Sequence, residues 1–217
     1  MAAGDRGDSP EDSRIAEIRH RMANCFQMLI GLIRFRLRHV QNDEARVTLV
    51  WLGNVVLALG GLQRELAASE RLGFRSYLEK AISLWETVIR DKDIAIRIEA
   101  GEEVEIVDDV ATPLVLILHE LVTNSLEHAF KDGRGGGVTI AFSVDWRGSA
   151  ELLVTDDGCG IDPSIQLGQR PVQERSFGLS LVTRLTGQLR GTFDIGPGEE
   201  RGTVARIAFP LRQSNPA

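Results

Sequence analysis

Cysteine is nearly absent. Cys25 and Cys159 stand alone, at no metal-ligand or disulfide spacing, which excludes a disulfide framework and a cysteine-based metal centre. A reducing cytoplasm is the expected setting. No long apolar run is unbroken either. The longest, residues 49–62, is interrupted by Gly53, Asn54, Gly60 and Gly61 and reads as too short to span a bilayer. Residues 1–13 are polar and acidic, so no signal peptide is expected there. An excess of positive charge is missing as well: the formal net charge is −6, which argues against a general nucleic-acid binder. The glycine-rich stretch 133–137 is not followed by Lys-Ser or Lys-Thr. It is therefore no P-loop and reads as a plain turn.

What is present is an ordinary soluble composition, 43% hydrophobic and 26% charged over 217 residues, enough for one large domain or two small ones. Residues 1–12 read as a disordered lead-in. Ser13 reads as the N-cap of a helix running to about Val40. After a polar turn at Gln41-Asn42-Asp43, a second helix runs from about Glu44 to Ala68, so residues 13–72 form an antiparallel helical hairpin. Ile15, Ile18, Met22, Cys25, Phe26, Leu29 and Ile33 mark the apolar face of the first helix. The second helix is apolar on more than one face, and a second copy of the hairpin would complete a four-helix bundle. The predicted boundary falls near Leu72-Gly73, and residues 73–212 have a different rhythm. Helices are expected over 74–90, 112–130 (with Pro113 in the first turn) and 177–189. Strands are expected over 94–98, 104–106, 138–145, 150–155, 191–195 and 203–209, which together make an α/β sandwich on a mixed or antiparallel sheet. Residues 213–217 read as a loose tail.

Four segments carry candidate chemistry. His20 lies about 200° round the helix from Ile18, away from that apolar face. Glu17 and Asn24, three before and four after it, flank the imidazole on one side of the helix. A carboxylate there orients and polarises the ring, and an amide holds a water or a phosphoryl oxygen. From this stretch alone, a solvated surface histidine among charges is the plainer reading. Downstream, Glu120, Asn124 and His128 recur at steps of four, a polar stripe on an otherwise apolar helix. The stripe is either a solvent side or a ligand-facing one, where an amide could coordinate a hard cation and a carboxylate could order water. Asp156, Gly158 and Gly160 follow a buried strand, so the backbone can approach a ligand and the carboxylate can accept from an exocyclic amine. Gly178 and Leu179 open a helix, where free N–H groups suit phosphate.

In this order, the four segments resemble the sensor histidine kinases of two-component systems, and among them the subgroup with an H-R-x-x-N phosphoacceptor box. The resemblance spans residues 14–210. It implies an α+β protein: a dimerising hairpin followed by a Bergerat-type ATP-binding sandwich. It implies His20 as the phosphorylated residue, with Glu17, Asn24 and Glu120 in catalytic roles and Asn124 as the Mg²⁺ ligand. Asn124, His128, Asp156, Gly158, Gly160, Gly178 and Leu179 would hold ATP, with Asp156 on the adenine, and residues 161–176 would be a short lid. Arg19 and Ala23 depart from the subgroup, which more often has His and Lys there. The implied protein is a cytoplasmic, sensor-less histidine kinase that transfers the γ-phosphoryl of Mg-ATP to His20 and then to an Asp of a response regulator. Its implied partners are a receiver domain, an upstream sensor or regulatory protein, and a second copy of itself. The alternatives are an ATP-independent phosphotransferase of the same architecture, or a Bergerat-type protein kinase acting on a partner.

Overall fold

The computed structural model describes residues 10–68, 71–89, 93–101, 103–131, 133–161 and 177–211, with the side chains at 10–16, 19, 20, 67, 68, 84, 87 and 88 outside that description. The chain divides into two units, Met1–Glu70 and Arg71–Ala217.

The first unit is a helical hairpin of α1 (Pro10–Leu37) and α2 (Asp43–Ala68). Ser13 is not the cap. The helix begins at Pro10, whose ring presets the backbone for a first helical turn and whose missing N–H is no loss there. Asn42, expected as part of a turn, caps α2: its Oδ1 accepts from the N–H of Ala45 at 2.8 Å. The apolar face of α1 also needs correction. The stripe buried against α2 is Ile30 and Ile33, flanked by Phe26 and Leu37, and it meets Val56, Leu49 and Leu57. Cys25 is exposed, and Ile18, Leu29, Leu32 and Phe35 are 45–62% exposed. Val47, Val50 and Leu52 on α2 are exposed too. One hairpin therefore leaves a second apolar stripe uncovered. The run on α2 is also longer than expected. Its glycines and Asn54 do not interrupt the helix, and Asp43–Leu66, 24 residues at a mean hydropathy of 1.6, is long and apolar enough to cross a membrane by those two measures.

The second unit starts with a strand that has no visible period. β1 (Arg71–Gly73) pairs antiparallel with β3 (Glu105–Val107). Between them lie α3 (Phe74–Ile89) and β2 (Ile94–Ala100). Next come α4 (Asp108–His128), β4 (Gly136–Val144), β5 (Ser149–Asp156), α5 (Phe177–Gln188), β6 (Thr192–Pro197) and β7 (Thr203–Pro210). The main sheet has the order β2-β4-β5-β7-β6, with β2–β4 parallel and the other pairs antiparallel. Burial alternates along β5: Ala150, Leu152, Val154 and Asp156 are all buried. Leu114, Ile117, Leu118 and Leu126 of α4 and Val182 of α5 join Ile140, Leu152 and Ile207 in the core. α4 starts four residues earlier than expected, with Asp108 and Asp109 in its first turn, where carboxylates favour the positive helix end. Pro113 consequently sits inside the helix. The two glycines at 136 and 137 are not a plain turn but the first residues of β4.

Candidate functional site

Asp156 ends β5 on the buried side of the sheet, 3% exposed. Its carboxylate is held by three donors. Ser125 Oγ donates to Oδ2 at 3.1 Å, and the N–H groups of Gly158 and Thr203 donate to Oδ1 at 3.1 and 3.2 Å. Burial pushes its pKa above the ordinary carboxylate range, and the hydrogen bonds from Gly158, Ser125 and Thr203 work against that rise. An acceptor fixed this way in a low-dielectric setting suits an amine-bearing ring. Ser125 and Thr203 were not foreseen as part of the site. Ser125 stands one residue beyond Asn124, off the stripe, and Thr203 carries no local signal.

The loop after Asp156 docks on the end of α4. The N–H of Cys159 donates to the carbonyl of Ala129 at 2.8 Å. A Cβ on Gly158 would overlap that carbonyl and the Ala129 methyl, so this contact requires glycine. Gly160 turns the chain at φ 82°. Asp157 ties the loop to β4 by accepting from the N–H of Gly137 at 2.8 Å, and Arg201 Nε donates to the carbonyl of Gly158 at 3.3 Å.

On α4 the stripe is graded rather than uniform. Glu120 is buried, Asn124 is half-buried and His128 is exposed. Asn124 Nδ2 donates to Glu120 Oε1 at 3.2 Å; a carboxylate only accepts, so the amide nitrogen is the end that meets it and the amide oxygen is the side chain's acceptor. Partial burial draws the pKa of His128 below its ordinary value. Lys131 adds to the effect and Glu127 opposes it. Gly178, the second residue of α5, meets Glu120 so closely that a Cβ there would overlap the carboxylate. Leu179 follows it, half-buried. The structure thus brings Glu120, Asn124 and Gly178 together, and separately gathers Asp156, Gly158 and Gly160. The space beside Gly158 and Gly178 is taken by Ala129 and Glu120; the fit to a nucleotide with a hard cation lies in the donor set, carboxylate oxygens and an amide. Among the described residues, no three His, Cys, Asp or Glu converge as a metal site. The lid expected at 161–176 lies, but for Ile161, outside the described residues.

In the hairpin, Glu17 does not stand free. Its Oε1 accepts from Arg21 Nη2 at 2.6 Å, an exposed i,i+4 pair worth little on its own. Asn24 is exposed. The backbone of His20 is helical, and its imidazole lies outside the described side chains.

One buried group was missed. His119 is 5% exposed and bridges α3 and α4. Trp85 Nε1 donates to its Nδ1 at 3.2 Å, and its Nε2 lies 3.0 Å from the Tyr77 hydroxyl. An indole only donates, so Nδ1 is the acceptor and the proton sits on Nε2, directed at the Tyr77 oxygen. Burial lowers its pKa from 6.5 to about 4. In the unfolded chain the ring protonates near 6.5, and in the folded chain only near 4. Its stabilising effect is complete above 6.5 and is lost as pH falls from there to about 4, a loss of about 3 kcal/mol. The raised Asp156 acts with opposite sign, so the measurement compares urea unfolding of wild type with His119→Gln, where that contribution cancels. The expected difference narrows below pH 6.5, and parallel curves would refute it.

Two family models match the chain. The model for "Histidine kinase" covers residues 17–87, and the model for "Histidine kinase-, DNA gyrase B-, and HSP90-like ATPase" covers residues 109–213. The sensor histidine kinase PdtaS of Mycobacterium tuberculosis (strain H37Rv) is 29% identical over 214 residues, which is 95% of this chain and 41% of that protein. Blue-light-activated histidine kinase 2 of Erythrobacter litoralis is 26% identical over 209 residues, covering 93% and 58%. The chain therefore spans about two fifths to three fifths of the length of these relatives. The histidine kinase domain from the Erythrobacter litoralis EL346 blue-light activated histidine kinase superposes with a TM-score of 0.66 at 26% identity, over 92% of this chain and 94% of that one.

Proposed function

The chain belongs to the histidine kinase family, and from that premise we propose that it transfers the γ-phosphoryl group of Mg-ATP to His20 and onward to an aspartate of a response regulator. The observation that carries the nucleotide half is the buried Asp156 carboxylate, held by Ser125, Gly158 and Thr203 at the end of β5. Asp156 accepts the adenine amine, and the loop through Gly158 and Gly160 lines the ring's place. Asn124 would offer its amide oxygen to Mg²⁺, and Glu120, hydrogen-bonded to the same side chain, would act beside the reacting phosphate. The N–H groups at Gly178 and Leu179 suit the phosphates, with His128 at the outer end of α4. ATP supplies an electrophilic phosphorus; the protein's work is positioning and neutralising charge.

Residues 13–72 are proposed as the phosphoacceptor and dimerisation segment, and residues 73–212 as the nucleotide-binding part. In the first, a ring nitrogen of His20 attacks, the bond to the ADP oxygen breaks, and an N–P bond forms. Asn24 is placed to orient a water or a phosphoryl oxygen. Glu17 would orient the ring only by leaving Arg21. The Arg-rich surface of α1, with Arg21 exposed, would steer an acidic receiver domain, mostly through on-rate and less so at high salt. A cytoplasmic location is part of this proposal.

The uncovered apolar stripe through Leu29, Leu32 and Phe35 supports a homodimer whose two hairpins make a four-helix bundle. Light scattering is expected to report twice the chain mass at micromolar concentration. Leu32→Glu is expected to shift the particle toward the monomer, and a wild-type monomer would overturn the dimer. The test of the function is incubation with γ-labelled ATP, with acid-labile, base-stable label as the expected result. Wild-type protein that binds no ATP would favour the ATP-independent phosphotransferase.

A further inference from the structure

α4 is seated by apolar contacts along most of its length: Leu114, Val115, Ile117, Leu118, Leu121 and Val122 are all buried. Such contacts hold a helix in place but have no direction of their own. A small turn of the helix about its axis lets the same side chains pack again. At position 119 the pattern changes. Three polar rings meet in the core, Tyr77 and Trp85 from α3 and His119 from α4, all of them buried. Trp85 Nε1 donates to His119 Nδ1 at 3.2 Å, and His119 Nε2 donates to the Tyr77 hydroxyl at 3.0 Å. The indole and imidazole centroids are 5.0 Å apart. Both ring nitrogens are used, one as acceptor and one as donor. Hydrogen bonds to a planar ring are directional. They fix where that ring points, and with it the rotation of α4 against α3.

The next residue is Glu120. It stands about 100° further round the helix, where it accepts from Asn124 at 3.2 Å and lies against Gly178 of α5. His119 therefore faces α3 while its neighbour faces α5. With a side-chain radius of about 5–6 Å, a rotation of about 20° would carry the ends of Glu120 and Asn124 about 2 Å sideways. A misplacement of about 1 Å can cost on the order of 100-fold in rate. An apolar residue at 119 would fill the space with no polar group to desolvate. What a histidine adds is direction. We infer that His119 is a positioning residue of the phosphoryl transfer: held by Trp85 and Tyr77, it sets the rotation of α4 that aims Glu120 and Asn124 at the reacting phosphate and its cation. This rests on the transfer reading above and adds to it a residue that acts through its neighbours. Adenine binding depends on it less, because two of the three donors to Asp156, Gly158 and Thr203, lie off α4.

The test compares wild type with His119→Leu, His119→Gln and Tyr77→Phe, all well below their melting midpoints. Leucine removes both hydrogen bonds, and glutamine keeps one acceptor and one donor at its end. Tyr77→Phe takes away a single bond and leaves the imidazole in place. The rate of acid-labile label formation at saturating Mg-ATP is expected to fall about tenfold or more in His119→Leu, with ATP affinity within about threefold. Tyr77→Phe is expected to lose less, and His119→Gln to restore most of the rate. A role in stability alone would lower the melting midpoint and leave the rate of the folded protein unchanged, and that result would overturn the inference. Should His119→Leu not fold, Tyr77→Phe carries the same comparison. A second measurement needs no nucleotide. The side-chain amide ¹H and ¹⁵N signals of Asn124 are expected to move in His119→Leu and Tyr77→Phe and to return in His119→Gln, while the backbone amide signal of Thr203 stays. Unmoved Asn124 signals would also overturn it. Wild type that forms no label while those signals move would sink the transfer reading and leave the positioning of α4 standing.

Discussion

His20→Ala is expected to take acid-labile label from γ-labelled ATP down to background while ATP affinity stays within about twofold of wild type. Loss of the acceptor nitrogen removes the only atom on which the proposed N–P bond forms, so the effect is all or none rather than graded. Retained affinity follows from where the proposed nucleotide contacts lie. Glu120, Asn124 and His128 are on α4, Asp156 to Gly160 follow β5, and Gly178 and Leu179 open α5, all within the second unit. His20 is on α1 in the first. Melting temperature gives an internal control, because alanine is a strong helix former and position 20 lies within α1. Acid-labile label on the His20→Ala protein would move the acceptor elsewhere and end the central claim.

Asp156→Ala is expected to weaken ATP binding by about 5- to 150-fold, the equivalent of about 1–3 kcal/mol for a buried polar partner left unmatched. The loss has two parts. The adenine amine loses its acceptor, and the N–H groups of Gly158 and Thr203 lose the carboxylate that holds the loop and β7 in place. The two parts separate experimentally. Ser125→Ala removes one donor to Asp156 and leaves the carboxylate, so it is expected to cost several-fold less. Because burial raises the pKa of Asp156, ATP affinity should begin to fall with acid sooner than an ordinary carboxylate would dictate. Calorimetric titration of both variants decides it: tight binding unchanged in Asp156→Ala would mean that the adenine lies elsewhere.

Features set by short-range backbone geometry were legible in the chain before any fold was known. The step of four that aligns Glu120, Asn124 and His128 follows from helical pitch alone. The alternating pattern placed Asp156 at the end of a buried strand, and the structure extends β5 through it and buries it with Leu152 and Val154. The same periodicity marked α1 and α2, but it misassigned the buried stripe of α1. An apolar residue facing Ile30 and one facing away from α2 look alike until the second helix is placed. Which groups meet across long stretches of chain was settled only by tertiary packing. Thr203 reaches Asp156 across 47 residues, and Tyr77 and Trp85 reach His119 across 42 and 34. Gly178 lies against Glu120 because α5 packs on α4. β1 is three residues long, too short to show a period, and it exists because β3 pairs with it. Local pattern reports what a backbone does with its near neighbours; the partners of a buried carboxylate or imidazole depend on how whole surfaces fit together, and no repeat in the chain encodes that.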